Sequence, residues 1–268
     1  MSGTLQLIRS QRPLVHAISN FVTANFCADI LLAAGASPMM TDDAREAAEA
    51  TQLADALYLN IGTLNDNSIR SMLLAGSAAK EKQIKIVFDP VGAGATQLRT
   101  KSAQKILAEL QPEVVKGNLS EMLHLSGIKN VINRGVDAGS VSLKDDIIAE
   151  TLKAFAKTHH CIAIATGRRD FVTDGEKVAV VHNGTPMLEC VTGTGCALGA
   201  LCAAAAATGK ELFCLQLDAV LTMAIAGEIA ITKISHNDCG TFKTYLLDAI
   251  GNLTDDDLNH RGKYEFLA

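Results

Sequence analysis

Short apolar runs of strand length alternate along this chain with longer stretches whose apolar residues recur every three or four positions. Residues 14–18, 56–61, 84–89, 114–116 and 161–166 form the short runs and read as strands. Residues 20–34, 44–54, 68–82, 101–110 and 143–158 carry the helical period between them. Such alternation predicts an α/β fold, with a mostly parallel central sheet and helices on both faces. Residues 177–182 and 186–191 flank Asn183-Gly184, a dipeptide suited to a tight primed turn, and predict a β-hairpin. From Gly195 onward the pattern is almost wholly helical. No Pro/Ser-rich linker, repeat or low-complexity segment divides residues 1–268, so a single domain is expected.

Composition narrows the partners. The 24 Lys and Arg against 29 Asp and Glu leave a net charge of −5, which is no footprint for nucleic acid. Aromatic residues make up only 4%, too few for a base-stacking platform. The longest candidate membrane segment, residues 196–208, falls short of the roughly 20 residues a span needs. No apolar signal core stands in residues 1–12. The seven cysteines show no CxxC pairing and no metal-ligand spacing with histidine, as expected of reduced thiols in a cytoplasmic protein.

In a sheet of this kind ligands gather outside the carboxyl ends of the strands, against helix N-termini. Five segments fall there: Asn60-Ile61-Gly62-Thr63, Asp89 to Gly94, Lys116-Gly117-Asn118, Thr166-Gly167-Arg168 and Thr192 to Cys196. The last reads Thr192-Gly193-Thr194-Gly195-Cys196 and opens a helix of small residues. Its glycines let successive N–H groups aim at one point, and the helix dipole adds positive potential. The amides of Gly193, Thr194, Gly195 and Cys196 therefore make a candidate anion site for a transferring phosphate. It is not a P-loop, because no Gly-Lys-Ser/Thr follows, and no third glycine completes a dinucleotide fingerprint.

Asp89, at the end of an apolar strand and before Pro90-Val91-Gly92-Ala93-Gly94, can hold a magnesium ion directly or through water. It can equally cap the turn before Pro90. Asn118 and Glu121 share a helical face, which lets both address a metal–phosphate complex. The same spacing is that of an N-capping box. Lys116 could meet nucleotide phosphate or lie on the surface, and Arg168 and Arg169 could bind phosphate or be a solvated pair.

In this order the motifs resemble the hydroxyethylthiazole kinases, a branch of the ribokinase-like superfamily. The resemblance runs through Pro13-Leu14-Val15-His16, Ser19-Asn20, Gly35 to Met40, Leu59 to Thr63 and Asp89 to Thr96. Lys116 to Asn118, Gly135 to Gly139, His182 to Gly184 and Val191 to Cys196 complete it. The Asp-Pro-Val-Gly-Ala-Gly-Ala-Thr run and the cysteine closing the glycine loop are specific to this branch.

The resemblance implies ATP-dependent phosphorylation of a hydroxyethyl-methylthiazole, a salvage step toward thiamine, with Mg2+, in a homotrimer with sites at subunit boundaries. It places Met40 and Gly193 against the thiazole, Lys116 and Thr166 against ATP, and Asp89 and Glu121 at the magnesium site. Cys196 takes the position where most ribokinase-like enzymes carry an Asp base. Lys116 stands where many members have Arg, and Gly167-Arg168-Arg169-Asp170 where many have Gly-Glu-x-Asp. The rival readings are a hydroxymethylpyrimidine or pyridoxal kinase, a nucleotide-dependent dehydratase of hydrated nicotinamide cofactors, and a non-catalytic ATP-binding module.

Overall fold

The computed structural model describes residues 3–128 and 143–267; the Gly135–Gly139 motif lies outside them. The five expected strands all form: β1 (Leu14–Ile18), β3 (Ala56–Asn60), β4 (Lys85–Asp89), β5 (Val114–Asn118) and β6 (Ile162–Thr166). To these the structure adds β2 (Ser37–Met39), β7 (Asp170–Thr173), β8 (Val178–Val181) and β9 (Tyr264–Leu267). They make one sheet in the order β2-β1-β3-β4-β5-β6-β7-β8-β9, parallel from β2 to β6 and antiparallel beyond.

Helices cover both faces, as the alternation predicts. On one face lie α1 (Thr4–Gln11), α2 (Ala24–Ala34), α8 (Thr194–Ala207), α9 (Leu212–Ile231), α10 (Cys239–Asn252) and α11 (Asp255–Arg261), packed over Val15, Tyr58, Val87 and Val114. On the other lie α3 (Ala47–Leu53), α4 (Asp66–Lys82), α5 (Gln97–Leu110), α6 (Leu119–Leu125) and α7 (Asp145–His159), over Ile18, Leu57, Leu59, Phe88 and Val115. Successive strand residues point to opposite faces, so each strand feeds both cores.

Two expectations are corrected. The hairpin across Asn183-Gly184 does not form, because Pro186 has no N–H for a ladder and instead opens a 3-10 turn, Pro186–Cys190. Asn183 is drawn into tertiary bonds: its Nδ2 donates to Glu228 and to Arg261 O, and its Oδ1 accepts from Lys263 N. The edge of β8 is taken instead by β9, a four-residue strand after the four helices α8 to α11, so the almost wholly helical last third is as expected. The longest apolar helix is also not residues 196–208 but α9. Among the described residues α9 alone has the length and composition to cross a membrane, and 78% of its apolar window is buried inside the fold.

Candidate active site

Side-chain alternation assembles the site. Tyr58, Val87 and Val114 face α8, so the residues two places on, Asn60, Asp89 and Lys116, face it too, at the carboxyl ends of adjacent strands. Asn60 and Asp89 are direct partners in register. The N-terminus of α8 arrives above them, with Gly193 as N-cap at φ 96°, a left-handed conformation that suits glycine. A β-carbon there would come within 2.7 Å of Thr23. The first-turn amides of Thr194, Gly195 and Cys196 have no intrahelical acceptor, and among the described residues no side chain caps this helix.

A connected polar network lies below. Lys116 Nζ donates to Gly195 O at 3.0 Å and sits 3.4 Å from Asp89 Oδ2, both side chains buried. Lys116 is therefore no surface lysine. Asp89 Oδ2 also accepts from Tyr58 and Asn60, each at 3.1 Å, while Tyr58 reaches Cys196 O at 2.9 Å. Asn20 Oδ1 accepts from Thr23 N, which turns its Nδ2 toward Asn60 Oδ1 and, at 3.3 Å, Cys196 Sγ. Burial pushes the Cys196 thiol up, and the Asp89 charge adds to this against Lys116. The thiol is thus neutral at neutral pH. Burial, the largest single influence, would lower Lys116, but Asp89 together with the other acidic groups around it more than offsets this and holds the ammonium charged.

Asp89 Oδ1 is buried and, among the described residues, has no hydrogen-bond partner, as a cation-facing oxygen would be. Glu121 is differently engaged: Oε1 accepts from Gly92 N and Oε2 from Asn118 N, each at 2.7 Å, while Asn118 Oδ1 accepts from Glu121 N. The capping box is therefore real, and it also ties α6 to the loop after Asp89. Among the described residues no three His, Cys, Asp or Glu gather as a closed cage. This donor set fits magnesium, which retains waters and is completed by substrate phosphates.

Burial, with Asp89, raises Glu121 to about 7 despite its two N–H donors. The folded state then binds more protons than the unfolded one between pH 4.5 and 7, so this group erodes stability as pH rises through that window. Glu121→Gln should flatten that part of the stability–pH curve. It should also cost about 1–3 kcal/mol, because the new amide turns an N–H toward a backbone N–H. Urea unfolding from pH 4.5 to 8 reads both; an unaltered pH slope would remove Glu121 as its source.

Thr166 ends β6, its Oγ1 donating to Gly117 O at 3.3 Å beside Lys116. Arg168 and Arg169 stand beyond it; Arg169 pairs with Asp145, and both line a polar cavity with His182. Met40 is 36% exposed just past the edge strand β2 and enters none of these hydrogen bonds. Contributors that escaped sequence reasoning as individual residues include Tyr58, Asn60, Asn20 and His16. The first two were findable from strand alternation. His16, buried, meets Thr41 O through Nε2 at 3.0 Å, next to Met40.

Comparison with known proteins places this architecture. A Staphylococcus aureus pyridoxal kinase structure, in complex with AMP-PCP and pyridoxal, covers 95% of this chain and 98% of its own at TM-score 0.62 and 16% identity. The fold is ribokinase-like. A hydroxyethylthiazole kinase structure from Pyrococcus horikoshii OT3 is far nearer, with TM-score 0.88 and 35% identity over 99% of this chain and 98% of that one. A hydroxyethylthiazole kinase of Clostridium beijerinckii is 43% identical over 256 residues, 95% of this chain and 92% of the relative. The profile of the hydroxyethylthiazole kinase family matches residues 5–256, and the chain belongs to that family.

Proposed function

We propose that this protein transfers the γ-phosphoryl group of ATP to the hydroxyl of 4-methyl-5-(2-hydroxyethyl)thiazole, giving the thiazole phosphate for thiamine salvage. The observation that carries the reading is Cys196, the family's cysteine, at the head of an uncapped glycine-opened helix directly above Asp89 and Lys116.

Phosphoryl transfer passes through a loose transition state, so positioning and charge stabilisation matter more than proton removal. The amides of Gly193, Thr194, Gly195 and Cys196 receive the γ-phosphoryl oxygens as charge develops on them. Lys116 holds Gly195 O from below and sets positive charge under that loop. With Thr166 it serves the ATP phosphates. The substrate hydroxyl rests against Cys196 Sγ; a neutral thiol orients it more than it deprotonates it. Asp89, through Oδ1, and Glu121, through water, would hold Mg2+, which when bound neutralises charge across the phosphates. Gly193 and Met40 line the thiazole, methionine offering a polarizable wall.

The same proposal extends to assembly and place. Met40 is 36% exposed at the sheet edge, and Phe21 and Val22 beside the site are 82% and 58% exposed, which supports a homotrimer whose neighbouring copy covers these side chains. The protein works in the cytoplasm as one kinase domain, without nucleic acid or membrane. Incubation with ATP, magnesium and a panel of thiazole, pyrimidine and pyridoxine alcohols tests the reading. Phosphorylated thiazole is the expected mass-spectrometric product, and preference for a pyrimidine or pyridoxine alcohol would sink it.

A further inference from the structure

Arg99, like Tyr58, was announced by no motif. It occupies the first turn of α5, where Thr96 caps its backbone N–H. Its guanidinium reaches back over the carboxyl ends of two neighbouring strands. Nη1 donates to Ile61 O and to Val91 O, and Nη2 to Gly62 O, all at 2.8 Å. Ile61 and Gly62 follow Asn60 on β3; Val91 follows Asp89 on β4 by two residues. One side chain thus bolts together the two loops that leave the partnered pair Asn60 and Asp89.

The loop after Asp89 is held from its other side as well. Gly92 N donates to Glu121 Oε1 at 2.7 Å, while Arg99 takes the carbonyl just before it. Gly92 has φ 76°, and a β-carbon on it would press to 2.8 Å from Arg99 Cδ, so the arginine stem lies directly on this glycine. The geometry resembles a rim clamped between two side chains, with Asp89 Oδ1, which has no hydrogen-bond partner among the described residues, two residues away. Three carbonyls along two loops match the planar fork of a guanidinium; a lysine ammonium at the same distance is a single point and cannot reproduce that span.

We infer that Arg99 is a positioning residue for phosphoryl transfer, fixing the loops after β3 and β4 so that Asp89 meets the magnesium–phosphate complex in one geometry. The inference rests on the reading of Asp89 as part of the magnesium site. Arg99 itself touches neither substrate nor phosphate in this role. A displacement of about 1 Å in a phosphate-handling group costs on the order of 10²-fold in rate, which sets the expected effect.

The test compares Arg99→Ala and Arg99→Lys with the wild type. Measured are kcat, KM for the thiazole alcohol, the magnesium concentration giving half-maximal rate, thermal melts, and amide hydrogen exchange of residues 61–64 and 91–95 without nucleotide. The alanine variant should lose about 10²-fold in kcat and need several-fold more magnesium. Its KM for the thiazole alcohol should move little, and exchange should quicken in both loops. Lysine should not restore the rate, whereas added methylguanidinium should recover part of it in the alanine variant. Should the alanine variant fail to fold, the lysine variant carries the same comparisons. Lower melting temperatures with unchanged kcat and magnesium requirement per folded molecule would overturn the inference and make Arg99 a stability residue. The wild-type assay separates the two ideas: no thiazole phosphorylation by wild type refutes the functional proposal. Loop exchange unaltered in both variants refutes the clamp itself.

Discussion

Lys116→Ala should cost about 3–5 kcal/mol of stability, the usual consequence of removing one partner from a buried ion pair. The pair is well buried: the Lys116 and Asp89 side chains are 5% and 1% exposed. Without the ammonium, the Asp89 carboxylate keeps only Tyr58 and Asn60, and Gly195 O loses its donor. Burial already raises Asp89, and Lys116 is the largest influence pulling it back. In the variant the carboxyl rises further above its unfolded value, so the folded state binds more protons than the unfolded one. The variant should therefore be relatively more stable in acid and lose stability as pH climbs above the ordinary carboxylate range. Urea unfolding at pH 5 and pH 8 reads the sign, and calorimetric titration should show weaker ATP binding. Lys116→Arg, which keeps the positive charge, should retain fold and nucleotide. Unchanged ATP affinity in the alanine variant would deny Lys116 its place under the phosphates.

Cys196 gives the second large effect. Cys196→Ala should lower turnover by about 10²-fold, at the weak end of what a lost general base costs, because a neutral buried thiol was never a strong one. Residual activity should survive, since the amides opening α8 do not depend on the side chain. Cys196→Asp should exceed the wild type. Burial and Asp89 push its carboxyl up as they do the thiol, but from a starting pKa several units lower, and it faces the Asn20 amide that now meets the sulfur at 3.3 Å and lies near Lys116. The added charge close to Asp89 should lower the melting temperature without abolishing folding. Steady-state rates and melts of both variants decide between roles. A fully active alanine variant beside an inactive, unstable aspartate variant would reduce Cys196 to a packing residue.

How far the site was readable differs from residue to residue. Asp89, Lys116, Thr166 and the glycine loop were all singled out at the ends of the apolar runs, because a parallel sheet places those positions on one edge, and the structure joins Asp89, Lys116 and the glycine loop in one network. Asn60 was seen only as part of a loop, although its two-residue offset from Tyr58 is the same alternation that aligns Asp89 and Lys116. Glu121 was legible as either cap or metal neighbour. The structure supplies the cap and adds the bond to Gly92 N, which joins residues 29 positions apart in sequence.

The amino-acid sequence by itself determined the parallel strands, the helices on both faces, the glycine-opened α8 and the family motifs, since each depends on local spacing or on residue type. It misjudged Asn183-Gly184, where local turn preference yielded to bonds with Glu228, Arg261 and Lys263 from the far end of the chain. Only the tertiary structure decided that Lys116 is buried against Asp89 and that Arg99 spans two loops. It also decided that the thiol of Cys196 is pushed up rather than down. The helix dipole acting on that thiol could be read from the glycines preceding it. Its opponents, desolvation and the Asp89 charge, arise from how closely other segments pack around the sulfur, and no local spacing encodes that distance.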